Sequence, residues 1–449
     1  LIQESLNLIL GADQNLRTRI KLVDGLPYQY HAEEAPQQFP VFDFSLTNKS
    51  GVEHWEAAVT REVMPLYDAP LYSFAIFKLG EGEGGILVKT HHIISDGWSQ
   101  VLFCNRIAET YFELLAGRRP QLKPVPSYQL HVDKERDYLN SPAYERDRAY
   151  WAEKMAGFLE PSSIKECASA AVSPVGQRST YRLSQTLNHA IQSFCEQRRV
   201  APFAVFYMAL AIYLQRIRAT EKLAVGVPVF NRVNMTDKET TGMFVSTLPF
   251  LNEIDDSWSF DEFNERLAEQ WYELLRYQKL PFTEIAELAK ERQPRAARLF
   301  HLVLSYQTSK IYKCREADLV FSGRWNYSGY QNEHLLIHLS SMEDTASYSV
   351  DYDYLTQIFS PEEIHRLHHY LVNILTEALA YPERPIWQLA VIGEEEKERV
   401  LFGFNQTGSL LYDKTIQDCF CRTAEDYENR AALIYAGKRL TYGALKTGA

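Results

Sequence analysis

Residues Thr90 to Ser99 have the sequence THHIISDGWS, and this stretch decides the fold. Before it, residues 71–79 and 86–90 alternate between apolar and polar as strands do, around a Gly-rich turn. After it, the spacing of apolar residues predicts an amphipathic helix over residues 98–115. Reactive side chains in α/β proteins stand where a strand leads into a helix. The stretch therefore predicts an α/β fold with His92 in a cleft, where a side chain with an ordinary pKa of about 6.5 suits proton transfer.

A second histidine pair, His368-His369, serves as an internal control. It lies in a predicted helix, beside core-facing leucines, and no Asp-Gly follows it. We interpret this pair as part of a solvated helix face, since paired histidines also arise by chance. In the first pair, Asp96 could orient the loop by pairing with a cation, and Gly97 allows a backbone conformation that a Cβ would hinder. These features favour a functional role for His91-His92.

The rest of the chain continues the alternation of strands and helices. With 449 residues it exceeds what one hydrophobic core usually organises, so two α/β lobes are expected. We predict an N-terminal lobe at 1–155, a C-terminal lobe at 156–395 and a tail at 396–449. Predicted helices are 1–14, 51–65, 142–157, 186–198, 202–218, 260–276, 283–291 and 361–380. Further predicted strands are 16–21, 27–31, 179–183, 222–227, 244–250, 300–306, 335–340 and 347–352. In the tail we predict a helix at 415–425 and a hairpin at 432–442.

Composition excludes several classes of function. The formal net charge is −11, so nothing in the overall charge favours binding to nucleic acid or to an anionic membrane. No apolar run approaches a membrane span, and the first residues lack the features of a signal peptide. The six cysteines have no metal-site spacing and are interpreted as free thiols in a reducing compartment. We therefore expect a cytoplasmic protein without a metal site.

The stretch at 90–99 resembles the HHxxxDG active-site motif of nonribosomal peptide synthetase condensation domains, which belong to the chloramphenicol acetyltransferase-like superfamily. This resemblance implies two such lobes in a V-shaped pseudodimer, with the active site in a tunnel between them. It also implies that His92 is catalytic, and that His91, Asp96 and Gly97 support it. Asp96 would hold the loop through a salt bridge to an arginine.

Four further segments resemble the family's motifs in the expected order. Residues 15–18 resemble its "LRT" segment, which makes Arg17 the candidate partner of Asp96. Residues 241–249 resemble "GxFVNT", with Ser246 at the usual Asn; residues 277–282 resemble "HQxxPFE" without its His; and residues 299–307 resemble "LFxVxFSYQ". The side chains that the resemblance assigns to the substrate tunnel are Trp98, Ser246, Tyr306 and Gln307.

Two departures from the family concern the ends of the sequence. The family normally has a further strand and helix before the region that corresponds to residue 1, so the first strand and helix of the lobe are expected to be missing. Residues 404–407 and 440–445 resemble the linker and first segment of an adenylation domain. The tail is therefore interpreted as the start of an adjacent adenylation domain.

The resemblance implies that the amine of an aminoacyl group, held on a peptidyl carrier protein, attacks an acyl thioester and forms an amide. His92 would act as a general base, or would position the amine and stabilise the tetrahedral state. Both alternatives remain open. Because Gly-x-Ser-x-Gly is absent, direct transfer is favoured over an acyl-enzyme. The domain itself would bind no cofactor; 4′-phosphopantetheine would come on the carrier proteins, and the donor would be an acyl carrier protein or an acyl-CoA.

Several subclasses remain to be compared. A heterocyclising domain would have an Asp-rich motif, and an epimerising domain usually ends a module, so both are disfavoured. Residues 71–78 and 242–247 look closer to lipid-loading starter domains, which is our hypothesis; the alternative is a chain-elongating domain with a peptidyl-carrier donor. From other classes we consider a non-catalytic carrier-docking domain, disfavoured by the intact His92, and a free-standing acetyltransferase, disfavoured by the tail.

Overall fold

The structure is a computed structural model that describes residues 1–33, 35–46, 49–157, 160–165, 172–292, 298–309, 323–342, 347–406 and 415–449. Two compact units can be distinguished, Leu1–Val391 and Ile392–Ala449. The predicted boundary between two lobes near residue 155 is not resolved by this division and stays a prediction.

The first part of the larger unit contains two small sheets. A hairpin pairs β1 with β2, and a three-stranded sheet has β3 parallel to β4 and β4 antiparallel to β5. Helices α1 and α3 pack on the second sheet through a core that includes Leu6, Phe74 and Phe103, because their apolar positions recur at helical spacing. The element bounds are α1 Ile2–Ala12, β1 Thr18–Val23, β2 Leu26–His31, β3 Val41–Asp43, α2 Lys49–Arg61, β4 Tyr72–Gly80, β5 Glu83–Thr90, α3 Gly97–Leu115, α4 Gln129–Leu139 and α5 Pro142–Ala156.

The second part is organised by a six-stranded mixed sheet with the order β6-β11-β10-β9-β7-β8. Strand β9 runs parallel to β10 and β7, and the other neighbours are antiparallel. The largest core cluster lies here, and α7 contributes ten consecutive buried residues to it, 205–214. The bounds are β6 Gly176–Arg182, α6 Gln185–Arg198, α7 Pro202–Arg218, β7 Lys222–Val229, α8 Met235–Glu239, β8 Ser246–Glu253, α9 Phe260–Arg276, α10 Phe282–Arg292, β9 Leu302–Ser309, β10 Leu335–Met342, β11 Ser347–Leu355 and α11 Pro361–Ala380.

The smaller unit consists of short elements. They are α12 Glu394–Glu398, a π-helical turn Arg399–Gly403, α13 Ile416–Asp426, β12 Ala431–Tyr435, β13 Lys438–Thr441 and α14 Tyr442–Gly448. Strands β12 and β13 form a hairpin around the left-handed Gly437, as the tail's sequence predicts.

Most predicted elements are confirmed to within a few residues, but four α-helices of the described residues were not predicted, namely α4, α8 and the short helices α12 and α14 of the smaller unit. Helix α4 has no buried residue, so its sequence carries no apolar stripe that would reveal it. Helix α8 has only five residues, too few for a periodic signal.

The interpretation of His368-His369 as a solvated pair is wrong for His368. This side chain is 8% exposed, stacks on Tyr181 and lies with its Nδ1 3.1 Å from the Tyr352 hydroxyl. The physical reason is helical spacing. Position 368 lies on the face of α11 that carries the buried Ile364 and Leu371, whereas His369 points outward.

No single helix within the described ranges is both long and apolar enough to cross a membrane. The bent pair α6–α7 passes the same test of length and composition, and the burial of α7 in the protein core accounts for its apolar sequence.

Candidate active site

The loop between β5 and α3 presents His92 to solvent. His91 anchors the loop, because its backbone N–H donates to the Leu71 carbonyl at 2.8 Å and its carbonyl accepts from Ile94 at 3.1 Å. The backbone N–H of Ile93 donates to Nδ1 of His91 at 3.1 Å, which leaves that nitrogen without a proton. Burial, followed by the charge of neighbouring His92, lowers the pKa of His91. The His91 ring is therefore neutral and held within the turn, and its role in supporting His92 stays a prediction.

His92 itself is exposed, and its ring makes no hydrogen bond to any residue that the structure describes. Its neighbour Ile93 is also exposed, whereas Ile94 is buried and fixes the turn against Leu71. Both ring nitrogens of His92 are thus open to a substrate, while the backbone on each side is held.

Asp96 is the residue that fixes the loop to the rest of the protein. It is the N-cap of α3, and its Oδ1 accepts a hydrogen bond from the backbone N–H of Ser99 at 2.9 Å. Two nitrogens of Arg232 donate to its carboxylate, at 2.6 and 3.0 Å. Both side chains of this ion pair are almost completely buried. Burial alone would raise the pKa of Asp96, but the Arg232 guanidinium and the backbone N–H donors outweigh it and lower that pKa.

The predicted pairing of Asp96 with Arg17 is therefore wrong, because the guanidinium that binds Asp96 is that of Arg232. A sequence argument could not find Arg232, which lies 136 residues beyond Asp96 and outside every motif segment. Arg17 is partly buried just before β1, near His31, whose pKa is lowered first by burial and then by the charge of Arg17.

The conformational role predicted for Gly97 is also not seen. Gly97 is the first residue of α3, its φ is not in the left-handed region, and a Cβ added there would meet no atom within 4 Å. The absence of a side chain leaves open space at the start of the helix, beside the loop that carries His92.

The segment 230–245, between β7 and β8, closes over the loop. The backbone N–H groups of Phe244 and Val245 donate to Oδ2 of Asp96, at 3.0 and 3.3 Å. The Ser99 hydroxyl accepts from the Gly242 N–H at 3.0 Å and lies 2.8 Å from the Gly242 carbonyl. The first half of the chain thus presents His92, and the second half supplies the groups that hold its loop.

Trp98, a predicted tunnel residue, contacts the segment 230–245 as well. Its indole N–H donates to the Lys238 carbonyl at 2.8 Å, and its ring meets Phe230 edge-on at 5.2 Å between centroids. The Arg232 guanidinium lies over the Phe244 ring at 4.1 Å, so the buried cation is covered by an aromatic face.

A second buried connection, which the sequence did not indicate, lies beside the first. Thr241 donates its hydroxyl to the Asp13 carboxylate at 2.8 Å, and the Asn15 amide donates to Thr241 at 3.0 Å. Asn15 also accepts from the Tyr128 N–H at 3.0 Å. Burial raises the pKa of Asp13, and these hydrogen bonds partly offset that effect. The end of α1 is thereby tied to the segment that holds Asp96.

Of the other predicted tunnel residues, Ser246 begins β8 opposite Val229, where the segment 230–245 ends. Tyr306 packs against the main core, with its hydroxyl 3.3 Å from that of Ser341. Gln307, the next residue of β9, points to the opposite face of the sheet. Their roles in binding substrate stay predictions.

The large sheet also holds a Ser–His–Asp arrangement that sequence analysis missed. Ser305 Oγ lies 2.7 Å from Nδ1 of His338, whose Nε2 lies 3.3 Å from Asp353. Arg178 donates twice to Asp353, at 2.6 and 2.7 Å. Because Arg178 neutralises the carboxylate and Ser305 is only 5% exposed, this arrangement favours a role in holding four strands together over one in nucleophilic catalysis.

Comparisons with known proteins agree with this geometry. The sequence profile of the family described as "Condensation domain" matches residues 1–401. Surfactin synthase subunit 1 of Bacillus subtilis (strain 168) is 31% identical over 99% of this chain and 12% of its own length. Tyrocidine synthase 3 of Brevibacillus parabrevis is 23% identical over 99% of this chain and 7% of its own length. The chain therefore spans only a small part of the length of these relatives.

Two solved structures confirm the predicted α/β fold. The first condensation domain of the calcium-dependent antibiotic synthetase matches with a TM-score of 0.75 and 23% identity, over 87% of this chain and 90% of that one. A mutant of the starter condensation domain of rhizomide synthetase, in complex with C8-CoA, matches with a TM-score of 0.75 and 21% identity, over 87% and 88%.

Proposed function

Since the chain belongs to the condensation domain family, whose members form amide bonds in nonribosomal peptide synthetases, we propose that His92 promotes attack of an aminoacyl amine on an acyl thioester. The observation that carries the proposal is the exposed imidazole of His92, free of protein hydrogen bonds among the described residues, on a loop fixed by the buried Asp96–Arg232 pair. The substrate amine would donate a hydrogen bond to an open ring nitrogen of His92. A fixed backbone and an open ring are what substrate positioning requires.

Asp96 takes no direct part in the proposed chemistry. Both of its oxygens are occupied by Arg232, by Ser99 and by the backbone of the segment 230–245, called the covering segment below. Asp96 therefore cannot act as the carboxylate of a catalytic relay with His92. Its role is to position the loop. His92 would therefore work without the carboxylate partner that orients the base in a Ser–His–Asp triad.

Reconstitution tests the proposal directly. The protein is incubated with an acyl thioester donor and an aminoacyl carrier protein, and mass spectrometry of the carrier reads out the new amide. We expect product with the wild type and a loss of product with His92→Ala. Unchanged amide formation in that variant would contradict catalysis by His92 and would favour the non-catalytic carrier-docking alternative.

A second variant separates the two roles left open for His92. Glutamine at position 92 offers a neutral hydrogen-bond acceptor that does not titrate near pH 7. If His92 only positions the amine, His92→Gln should retain much of the rate, with little dependence on pH. If His92 takes the proton as a general base, His92→Gln should be as slow as His92→Ala.

For the donor we propose a fatty acyl thioester, as a starter domain would use, with a peptidyl-carrier donor as the alternative. The likeness to a starter domain crystallised with C8-CoA supports this proposal. Parallel reactions with octanoyl-CoA, octanoyl-carrier and peptidyl-carrier donors decide between them. Product only with the peptidyl donor would end the starter proposal.

The acceptor and neighbouring partners follow from the same family membership. The acceptor would be an aminoacyl group on the 4′-phosphopantetheine arm of a peptidyl carrier protein, and the tail would lead into an adenylation domain. The N-terminal part of such a domain would complete the small unit, in which β12 exposes Leu433, Ile434 and Tyr435.

A further inference from the structure

Helix α11 carries two exposed histidines one turn apart. His365 and His369 occupy positions i and i+4, so their side chains lie on the same side of the helix. Their Nε2 atoms are 3.1 Å apart and their ring centroids 4.5 Å apart. Neither residue belongs to the site around His92 or to any segment that resembles a motif of the family.

The separation of these two nitrogens fits a chelated metal ion. With metal–nitrogen bonds of about 2.0–2.1 Å, two nitrogens 3.1 Å apart subtend an angle of about 95–100° at the metal. This angle lies between those of octahedral and tetrahedral coordination. We propose that His365 and His369 form a binding site for a divalent transition-metal ion.

The donor set determines which ions the site would take. Two imidazoles suit Cu²⁺, Ni²⁺ and Zn²⁺, while Ca²⁺ and Mg²⁺ prefer oxygen ligands. No group of three or more metal-binding side chains occurs within the described ranges, so water would complete the coordination sphere. The site is consequently one for an exchangeable surface ion.

Ion binding requires only a local change at the two rings. As they stand, one Nε2–H donates to the other Nε2. For both to bind a metal, the donating ring must carry its proton on Nδ1 instead, and this exchange of tautomers releases no net proton. Both rings are exposed, so the ring that must change is accessible to water.

The helix that carries the pair is rigidly anchored. Its first turn has a capping box between Ser360 and Glu363, and Ile364 and Leu367 are buried in the main core. The intervening His368 is held by Tyr352 and Tyr181. The backbone that spaces His365 and His369 is therefore fixed before an ion arrives, which reduces the entropy cost of binding.

Calorimetric titration of the full chain with NiCl₂ tests the proposal. We expect one site that is lost in His365→Ala and in His369→Ala, with affinity falling roughly 100-fold because a single imidazole loses the chelate effect. The matched control is His54→Ala, which removes an exposed histidine of α2 that has no histidine one turn away, and it should bind as the wild type does. All three variants replace exposed side chains, so folding should be preserved, and circular dichroism verifies it.

A second measurement tests whether the ion occupies this pair. The electron paramagnetic resonance spectrum of one equivalent of Cu²⁺ should show two coordinated nitrogens in the wild type and in His54→Ala, and a different spectrum in the double variant His365→Ala/His369→Ala. Unchanged nickel affinity in the double variant would overturn the proposal, because the ion would then occupy other residues, such as the stacked rings of His301 and His334.

Discussion

The pairs His91-His92 and His368-His369 have the same dipeptide sequence and share one structural feature, but their rings make different contacts. In each pair the first ring is turned into the protein and the second is exposed. His91 accepts a backbone hydrogen bond within a turn, and His92 stands free beside it. His368, on helix α11, contacts the buried Tyr352 and the partly buried Tyr181, and His369 lies against His365.

The difference lies in what fixes the exposed member. The loop of His92 depends on Arg232 and on the segment 230–245, far away in sequence, whereas His369 is placed by the regular geometry of α11 and by nothing distant. His92 lies on the loop between β5 and α3, and buried long-range contacts fix its position. Forming these contacts costs free energy on folding. The predictions that follow compare the two pairs from the largest expected effect to the smallest.

Replacing the exposed histidine should separate the pairs most clearly. His92→Ala is expected to reduce the rate of amide formation about 100- to 10,000-fold, the range for loss of a general acid–base or positioning group. His369→Ala, the matched change in the other pair, should leave the rate unchanged. The rates are measured by mass spectrometry of the carrier, and thermal unfolding should show that both variants are folded. Equal rates in the two variants would remove the functional distinction between the pairs.

Removing Asp96, which holds the loop of the first pair, should destabilise the folded protein. Asp96→Ala leaves the Arg232 guanidinium buried without its counter-charge, so the free energy of unfolding is expected to fall by about 3–5 kcal/mol. The control is Glu253→Ala, which removes one side of an exposed ion pair with Lys222 and should change stability by about 0–1 kcal/mol. Urea unfolding measures both. A loss as small as that of the control would mean that the covering segment holds the loop without the ion pair.

The contacts that hold the two pairs also show which parts of the structure could be predicted from the sequence. The strand–turn–helix around His92 and the helix α11 could be predicted, because each depends on local periodicity and on residues within a few positions. Arg232, Thr241 and Asp13 could not, because nothing near them in the sequence tells which distant carboxylate or hydroxyl they meet. The burial of His368 could be inferred from its spacing relative to Ile364 and Leu371, although the polarity of its side chain favours exposure.

The buried member of the second pair should make the protein sensitive to acid. Burial, and then the charges of His369 and His365, lower the pKa of His368 to about 4, from an ordinary 6.5. The unfolded chain therefore binds a proton that the folded chain does not, and stability falls as the pH drops from about 6.5 towards 4. The contribution is at most about 3 kcal/mol. His301, whose pKa is also lowered to about 4, acts in the same direction.

Urea unfolding at pH 7 and pH 5 tests this contribution. His368→Gln keeps a polar partner for the Tyr352 hydroxyl but does not titrate, so its stability should fall less between the two pH values than that of the wild type. His369→Gln changes the exposed neighbour and should keep most of the wild-type fall. The same fall in His368→Gln as in the wild type would show that His368 is not the source.

The smallest expected effect concerns the hydroxyl that joins the two halves of the site. Ser99→Ala leaves the buried Gly242 N–H without its acceptor, which is expected to cost about 1–3 kcal/mol of stability. Ser193→Ala, at an exposed position of α6, should stay within about 0.5 kcal/mol of the wild type.

The rate of amide formation per folded molecule of Ser99→Ala then decides whether the hydroxyl also helps to position His92. Since Ser99 contacts both Asp96 and the covering segment, a fall in this rate would show that the exact placement of His92 depends on the contact between the halves. An unchanged rate would mean that the remaining contacts of Asp96, with Arg232 and with backbone N–H groups, are enough to position the loop.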